Sequence, residues 1–164
     1  MTSLLFATAG TVLLTGCSGD SSSIIVDPPS DTSEFAVRGT TVINGAVWKL
    51  NREIQIEFTQ DVDFSTVSPS TIQIVDNQGV PAIGTYTLAN SKTVRFQPKC
   101  PTNSTNSDGG FAQGRTYRMT VVSETSSGIG GGGTAQNTAG ERLETGLNVA
   151  FTTPVSPDEL VRFV

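Results

Sequence analysis

Asp61 and Asp63 stand two apart in an extended stretch, so their carboxylates point to one side of the chain. Hard oxygen donors so placed could enter a Ca2+ site, with Asp76 or Asn137 joining from other loops; the same residues also read as solvated turn positions. Calcium is the one cofactor this sequence offers. Paired carboxylates could equally act as the acid and base of a glycosidase, but that chemistry requires a cleft. The chain has no histidine, which removes Ser-His-Asp and Cys-His nucleophile systems and any histidine-containing zinc site. The glycine run at residues 128–133 lacks the Gly-Lys-Ser/Thr ending, and the helix after it, with which a phosphate loop holds its anion. The other reactive groups are two thiols, Cys17 and Cys100.

Cys17 follows Leu14, Thr15 and Gly16 at the end of an apolar run over residues 4–14. That run is too short for a hydrocarbon core, which needs roughly 20 residues, and has the length of a signal-peptide apolar region. Leu14-Thr15-Gly16-Cys17 resembles the lipobox of bacterial lipoproteins. The resemblance implies that residues 1–16 are a signal peptide removed before Cys17, and that Cys17 takes the lipid. The membrane is then a partner through acyl chains on Cys17, and more than one chain gives stable anchoring. By the same family analogy Ser18-Gly19, with no Asp beside the cysteine, implies an outer-membrane or cell-surface location. The alternative makes residues 4–14 a buried strand or helix and Cys17 an ordinary core cysteine. With Cys17 lipidated, Cys100 has no disulfide partner and is a free thiol; we expect a small buried hydrophobe there, the alternative being a reactive or intermolecular role.

These groups must be carried by the rest of the chain. Of 164 residues, removal of 16 leaves 148, enough for one core domain. A net charge of −5 with no basic cluster argues against nucleic acid and anionic headgroups as partners, since both are bound by Lys and Arg. Residues 17–33, rich in Ser, Asp and Pro, form a flexible tether reaching roughly 20 Å. Beyond them, period-two alternation in short runs bounded by Gly, Pro, Asn and Asp predicts an all-β chain. Ile54, Ile56 and Phe58 face inward while Glu53, Gln55 and Glu57 face out; Ile72 with Ile74, Val94 with Phe96, and Tyr117, Met119 and Val121 make further inward rows. Strands are expected at residues 35–37, 42–50, 83–88 and 147–152 as well, giving about seven or eight in an immunoglobulin-like antiparallel β-sandwich. Trp48 fills the core or covers one end. The loops at residues 99–114 and 126–133 are expected to be mobile.

The ordered set Ile54-Gln55-Ile56-Glu57-Phe58-Thr59, Asp61-Val62-Asp63, Thr71-Ile72-Gln73-Ile74-Val75-Asp76, Thr93-Val94-Arg95-Phe96-Gln97-Pro98, Arg115-Thr116-Tyr117-Arg118-Met119-Thr120-Val121 and Phe151-Thr152-Thr153 resembles the SbsA-type bacterial Ig-like domains of surface-layer and other exported proteins. That family usually carries Asp where Asn137 stands. The resemblance implies a bacterial Ig-like β-sandwich over residues 34–154, followed by a tail at residues 155–164. It further implies a structural, spacer or adhesion role without catalysis, with an envelope or surface protein or a glycan as partner. Two other functions stay open: a calcium-dependent ligand-binding module at Asp61 and Asp63, and the N-terminal module of a larger exported enzyme, suggested by the apolar residues 160–164.

Overall fold

In most of the longer strands alternate side chains turn inward, and most of the inward ones are apolar. The computed structural model describes residues 34–103, 107–126 and 133–155. The readings made for residues 1–33, for most of the glycine run and for residues 156–164 lie outside the described residues. Within them the strands are β1 (Val37–Thr40), β2 (Ile54–Phe58), β3 (Val62–Asp63), β4 (Ile72–Asp76), β5 (Gly84–Asn90), β6 (Thr93–Pro98), β7 (Thr116–Val121), β8 (Gln136–Asn137) and β9 (Leu147–Thr152). They form a four-stranded sheet in the order β1-β2-β6-β5, a three-stranded sheet β4-β7-β9 and a short pair β3-β8, every strand pairing being antiparallel. The chain is thus an all-β, Ig-like sandwich.

The core lies between the inward rows. Ile54, Ile56, Phe58, Val94 and Phe96 come from the four-stranded sheet, and Ile72, Ile74, Tyr117, Met119, Val121, Val149 and Phe151 from the three-stranded one, all buried. The alternation read from the sequence for β2, β4, β6 and β7 is therefore the alternation of the fold.

Residues 42–50 do not form the expected strand. Asn44-Gly45 turns the chain there, with Gly45 at φ 78°, a left-handed value that glycine adopts without steric penalty. The turn breaks the alternation: Val42, Trp48 and Leu50 are buried, while Ile43 and Val47 are exposed. The segment instead runs along the outer edge of β9. Gly45 N donates to Ala150 O (2.7 Å), Trp48 N to Thr152 O (2.7 Å), and Thr152 N to Ala46 O (2.9 Å). Trp48 packs in the core, its Nε1 donating to Arg52 O (3.1 Å) and its ring lying 4.0 Å beneath the Arg52 guanidinium.

The expectation of a mobile loop at residues 99–114 fails for its described part. Phe111 is fully buried, with its ring 6.0 Å from Phe96, 5.0 Å from Tyr117 and 5.6 Å from Phe151. The loop reaches the core because Gly110 lets backbones meet. Ile83 N donates to Gly110 O (3.0 Å) and Gly110 N to Lys99 O (2.7 Å), and a Cβ at this position would stand 2.2 Å from Ile83 O. Phe111→Ala should leave a cavity joining both sheets and destabilise the chain by about 3–5 kcal/mol. Urea unfolding checks this; a loss below about 1 kcal/mol would mean the loop ring is dispensable.

Candidate functional site

Asp63 ends β3 and begins a 3-10 turn, Phe64–Thr66. Its Oδ1 accepts from Ser65 N (3.0 Å) and Ser65 Oγ (2.7 Å), satisfying an amide the turn leaves without a helical partner. Asp61 contributes its backbone, the carbonyl accepting from Thr138 N (3.0 Å). The β3-β8 pairing sets Asn137 opposite Val62, so the fold does bring Asn137 beside the two aspartates.

Asn137 is buried and fully engaged. Its Oδ1 accepts from Glu141 N (2.8 Å) and Ala139 N (3.1 Å), and its Nδ2 donates to Glu141 Oε2 (2.6 Å) and to Gln60. An aspartate would keep the first two bonds and lose the donor, so Gln60 and Glu141 suit an amide. Asp76 stands apart from this loop, at the end of β4 in the three-stranded sheet. Its Oδ1 accepts from Gln78 N and Val80 N, both at 2.8 Å, and closes the turn through Gly79. Among the described residues no group of three His, Cys, Asp or Glu side chains is placed to hold a metal ion.

Cys100 is exposed rather than buried, which corrects the expectation of a small core hydrophobe; it forms no disulfide among the described residues. It precedes a turn organised by Asp108, whose carboxylate accepts from Thr102 N (3.0 Å), Thr102 Oγ1 and Asn103 N (3.2 Å). The Thr102 hydroxyl first, then the amides of Asn103 and Thr102, hold the Asp108 carboxyl well below the usual carboxylate range.

The outer face of the four-stranded sheet is polar and charge-paired. A register shift between Val37 and Gly39 bulges β1 at Arg38, and the guanidinium meets Glu57 Oε1 at 3.1 Å. Arg95 meets Glu53 Oε2 at 3.1 Å, and Gln55 Nε2 donates to Glu53 Oε1 (2.6 Å). Beside these pairs Gly39, Thr40, Thr41, Gln55, Glu57 and Thr93 line a shallow groove of about 280 Å3. Exposed pairs of this kind contribute about 0–1 kcal/mol each, so they shape the surface more than they stabilise the fold.

On the inner side, Tyr86 of β5 crosses to the other sheet, its hydroxyl donating to Ile72 O (2.7 Å), and burial pushes the phenol above its ordinary value of 10.0. Sequence reading missed Tyr86 and Asp108, and offered Asn137 as an ion ligand rather than as the buried organiser of its turn. The turn sequence through Gly140 was the available signal for Asn137; the cross-sheet bond of Tyr86 had none. No helix among the described residues is long and apolar enough to cross a membrane.

Two antiparallel layers over an aromatic core, with turn-bound carboxylates and a charge-paired outer face, define an Ig-like sandwich module. Residues 31–153 match the Big_5 family of bacterial Ig-like domains, and the chain belongs to that family. No curated protein matches it. Among solved structures it is similar to the LD transpeptidase LdtMt1 in complex with imipenem, with 17% identity over 73% of this chain and 40% of that chain (TM-score 0.46). It is also similar to the S-layer protein rSbsC(31-844), with 18% identity over 74% of this chain and 14% of that chain (TM-score 0.44). CopC from Methylosinus trichosporium OB3b shares 10% identity over 74% of this chain and 94% of that chain (TM-score 0.42). The chain spans less than half the length of the transpeptidase and of the S-layer protein.

Two outcomes follow from the committed polar groups. Asp63→Ala should cost about 1 kcal/mol through the lost cap, by the same amount in EDTA and in millimolar calcium. A calcium-dependent rise in melting temperature that this substitution abolishes would restore the ion site. The second outcome concerns pH. Below 10.0 the Tyr86 phenol is neutral whether the chain is folded or not, and its contribution is present in full. Above that value the unfolded chain ionises first, so stability falls as pH rises toward the raised native value. Tyr86→Phe should lose about 1 kcal/mol near neutrality and then decline less steeply toward about pH 11. The remaining slope comes from Tyr117, which burial also raises. Denaturation midpoints across that range test it; parallel declines would contradict the assignment.

Proposed function

We propose that this chain is a non-enzymatic, SbsA-type Ig-like module of the bacterial cell envelope. It is anchored by acyl chains on Cys17 and held off the membrane by the tether at residues 17–33. Its role is structural, spacing or adhesive, and its partner is an envelope or surface protein or a glycan. The observation that carries the reading is the match to the bacterial Ig-like domain family over residues 31–153, immediately downstream of a lipobox-like Leu14-Thr15-Gly16-Cys17. The outer sheet face supports it as well: Arg38 with Glu57 and Arg95 with Glu53 leave that face polar and charge-balanced, suited to reversible contact.

Acylation locates the module and can be tested apart from binding. Mass spectrometry of the chain purified from cells should find Cys17 as the amino-terminal residue carrying acyl chains. Cys17→Ser should take the protein out of the membrane fraction. An intact Met1 terminus with an unmodified thiol, or a C17S protein that still floats with membranes, would defeat the anchor.

A further inference from the structure

Sheet edges present unpaired backbone groups, and among the described residues three of the four edges of the two larger sheets are closed. Residues 44–48 run along β9. Val80 O and Ala82 N bond to Asp76 N (2.9 Å) and Ile74 O (2.8 Å), covering β4. β1 carries the bulge with Arg38, and its neighbours Ala36 and Val37 are tied to Thr145. Bulges, charges and covering segments are the usual means by which an edge is kept from pairing with another chain.

Among the described residues β5 has none of these along Gly84–Leu88; its own register shift against β6 lies beyond, between Leu88 and Asn90. Lys99 N donates to Ile83 O (2.9 Å), which fixes the parity of the ladder with β6. Thr85 and Thr87 turn their backbone groups toward Gln97 and Arg95, while Gly84, Tyr86 and Leu88 present theirs to the open edge. No charged residue occurs between positions 77 and 91. Two of the seven large exposed apolar side chains among the described residues lie in or next to this strand: Ile83 at 58% and Leu88 at 43%.

We propose that β5 pairs with β5 of a second copy of this chain, antiparallel about a two-fold axis at Tyr86, joining two four-stranded sheets into one of eight strands. The register follows from the parity. Tyr86 lies opposite its own copy, and Gly84 lies opposite Leu88, so every outward backbone group meets a partner. On the outer face Thr85 lies opposite Thr87 twice, a favourable cross-strand pair. On the inner face Leu88 of one copy meets Gly84 of the other, where the Phe96 ring reaches within 2.5 Å of the position a Cβ would take. The two-fold brings no like charges together, because the strand has none. A contact this small belongs with interfaces below about 1,200 Å2, so the dimer is weak and reversible. The inference rests on the edge and not on the lipid, so its failure would leave the anchor untouched.

Sedimentation velocity of the full chain in detergent micelles, over about 1 μM to 1 mM, should show a monomer–dimer equilibrium with no larger species. The double variant T85K/T87K places lysine opposite lysine at both outer pairs, and should raise the dissociation constant at least about tenfold at low salt, with partial recovery at high salt. T85K/T87E places opposite charges at the same two pairs, and should hold the constant within about threefold of the unsubstituted chain or lower it. Both positions are exposed, and matching melting temperatures establish that each variant folds. A monomer throughout the range, assembly beyond the dimer, or equal weakening by the two variants would overturn the proposal.

Discussion

The two sheets are held face to face by one aromatic cluster whose central ring belongs to neither. Phe96 comes from the four-stranded sheet, Tyr117 and Phe151 from the three-stranded one, and Phe111 reaches in from the loop before β7. Tyr117 and Phe151 stack at 5.6 Å with 17° between their planes, and Phe111 meets both edge-on, arrangements that aromatic quadrupoles favour. Much of the surrounding structure follows from seating that ring. Gly110 has to admit two backbones at once. Ala112 is held by the Tyr117 hydroxyl accepting from its amide (2.8 Å), and by Thr153 Oγ1 donating to its carbonyl (2.6 Å). The loop is thereby bound to β5, to β7 and to the segment leaving β9.

What the sequence could show was set by range. Period-two alternation is local, so the inward rows Ile54-Ile56-Phe58, Val94-Phe96 and Tyr117-Met119-Val121 were legible, and from them the two apolar layers of the sandwich. Residues 42–50 were misread because Val42, Trp48 and Leu50 carry a strand-like pattern, while the Asn44-Gly45 turn that breaks it is visible only as a dipeptide. Phe111 was missed for the opposite reason. A lone aromatic among Gly, Ser and Asn has no period, and only the hole between Phe96, Tyr117 and Phe151 gives it a place. The candidate ion ligands divide in the same way. The spacing of Asp61 and Asp63 and the pairing that brings Asn137 near them concern where backbones run. What the carboxylate of Asp63 and the amide of Asn137 bond to depends on Ser65, Gln60 and Glu141, and no short window of sequence specifies that.

Three of the polar side chains that first suggested chemistry, Asp63, Asp76 and Asn137, are engaged in holding the backbone, and Asp108 does the same. Asp63 caps a 3-10 turn, Asp76 closes the turn between β4 and β5, Asp108 gathers the amides of Thr102 and Asn103, and Asn137 organises the turn through Gly140. Each accepts from at least one main-chain amide. Short loops in a sandwich leave N–H groups that no ladder satisfies, and a side-chain acceptor two to six residues away is the direct remedy.

Topology then decides which surface stays open. β4 is followed at once by the turn from Asp76 and by residues 80–82, which fold back along it, and β9 receives the segment between β1 and β2 as a parallel neighbour. Among the described residues β5 has no such segment to hand. The chain before it belongs to the edge of β4, the chain after it enters β6 on its other side, and the loop beyond β6 turns inward to deliver Phe111. Seating the central ring and covering β5 are therefore alternative uses of the same length of chain, and the fold uses it for the ring. The open edge is a consequence of how the core is completed.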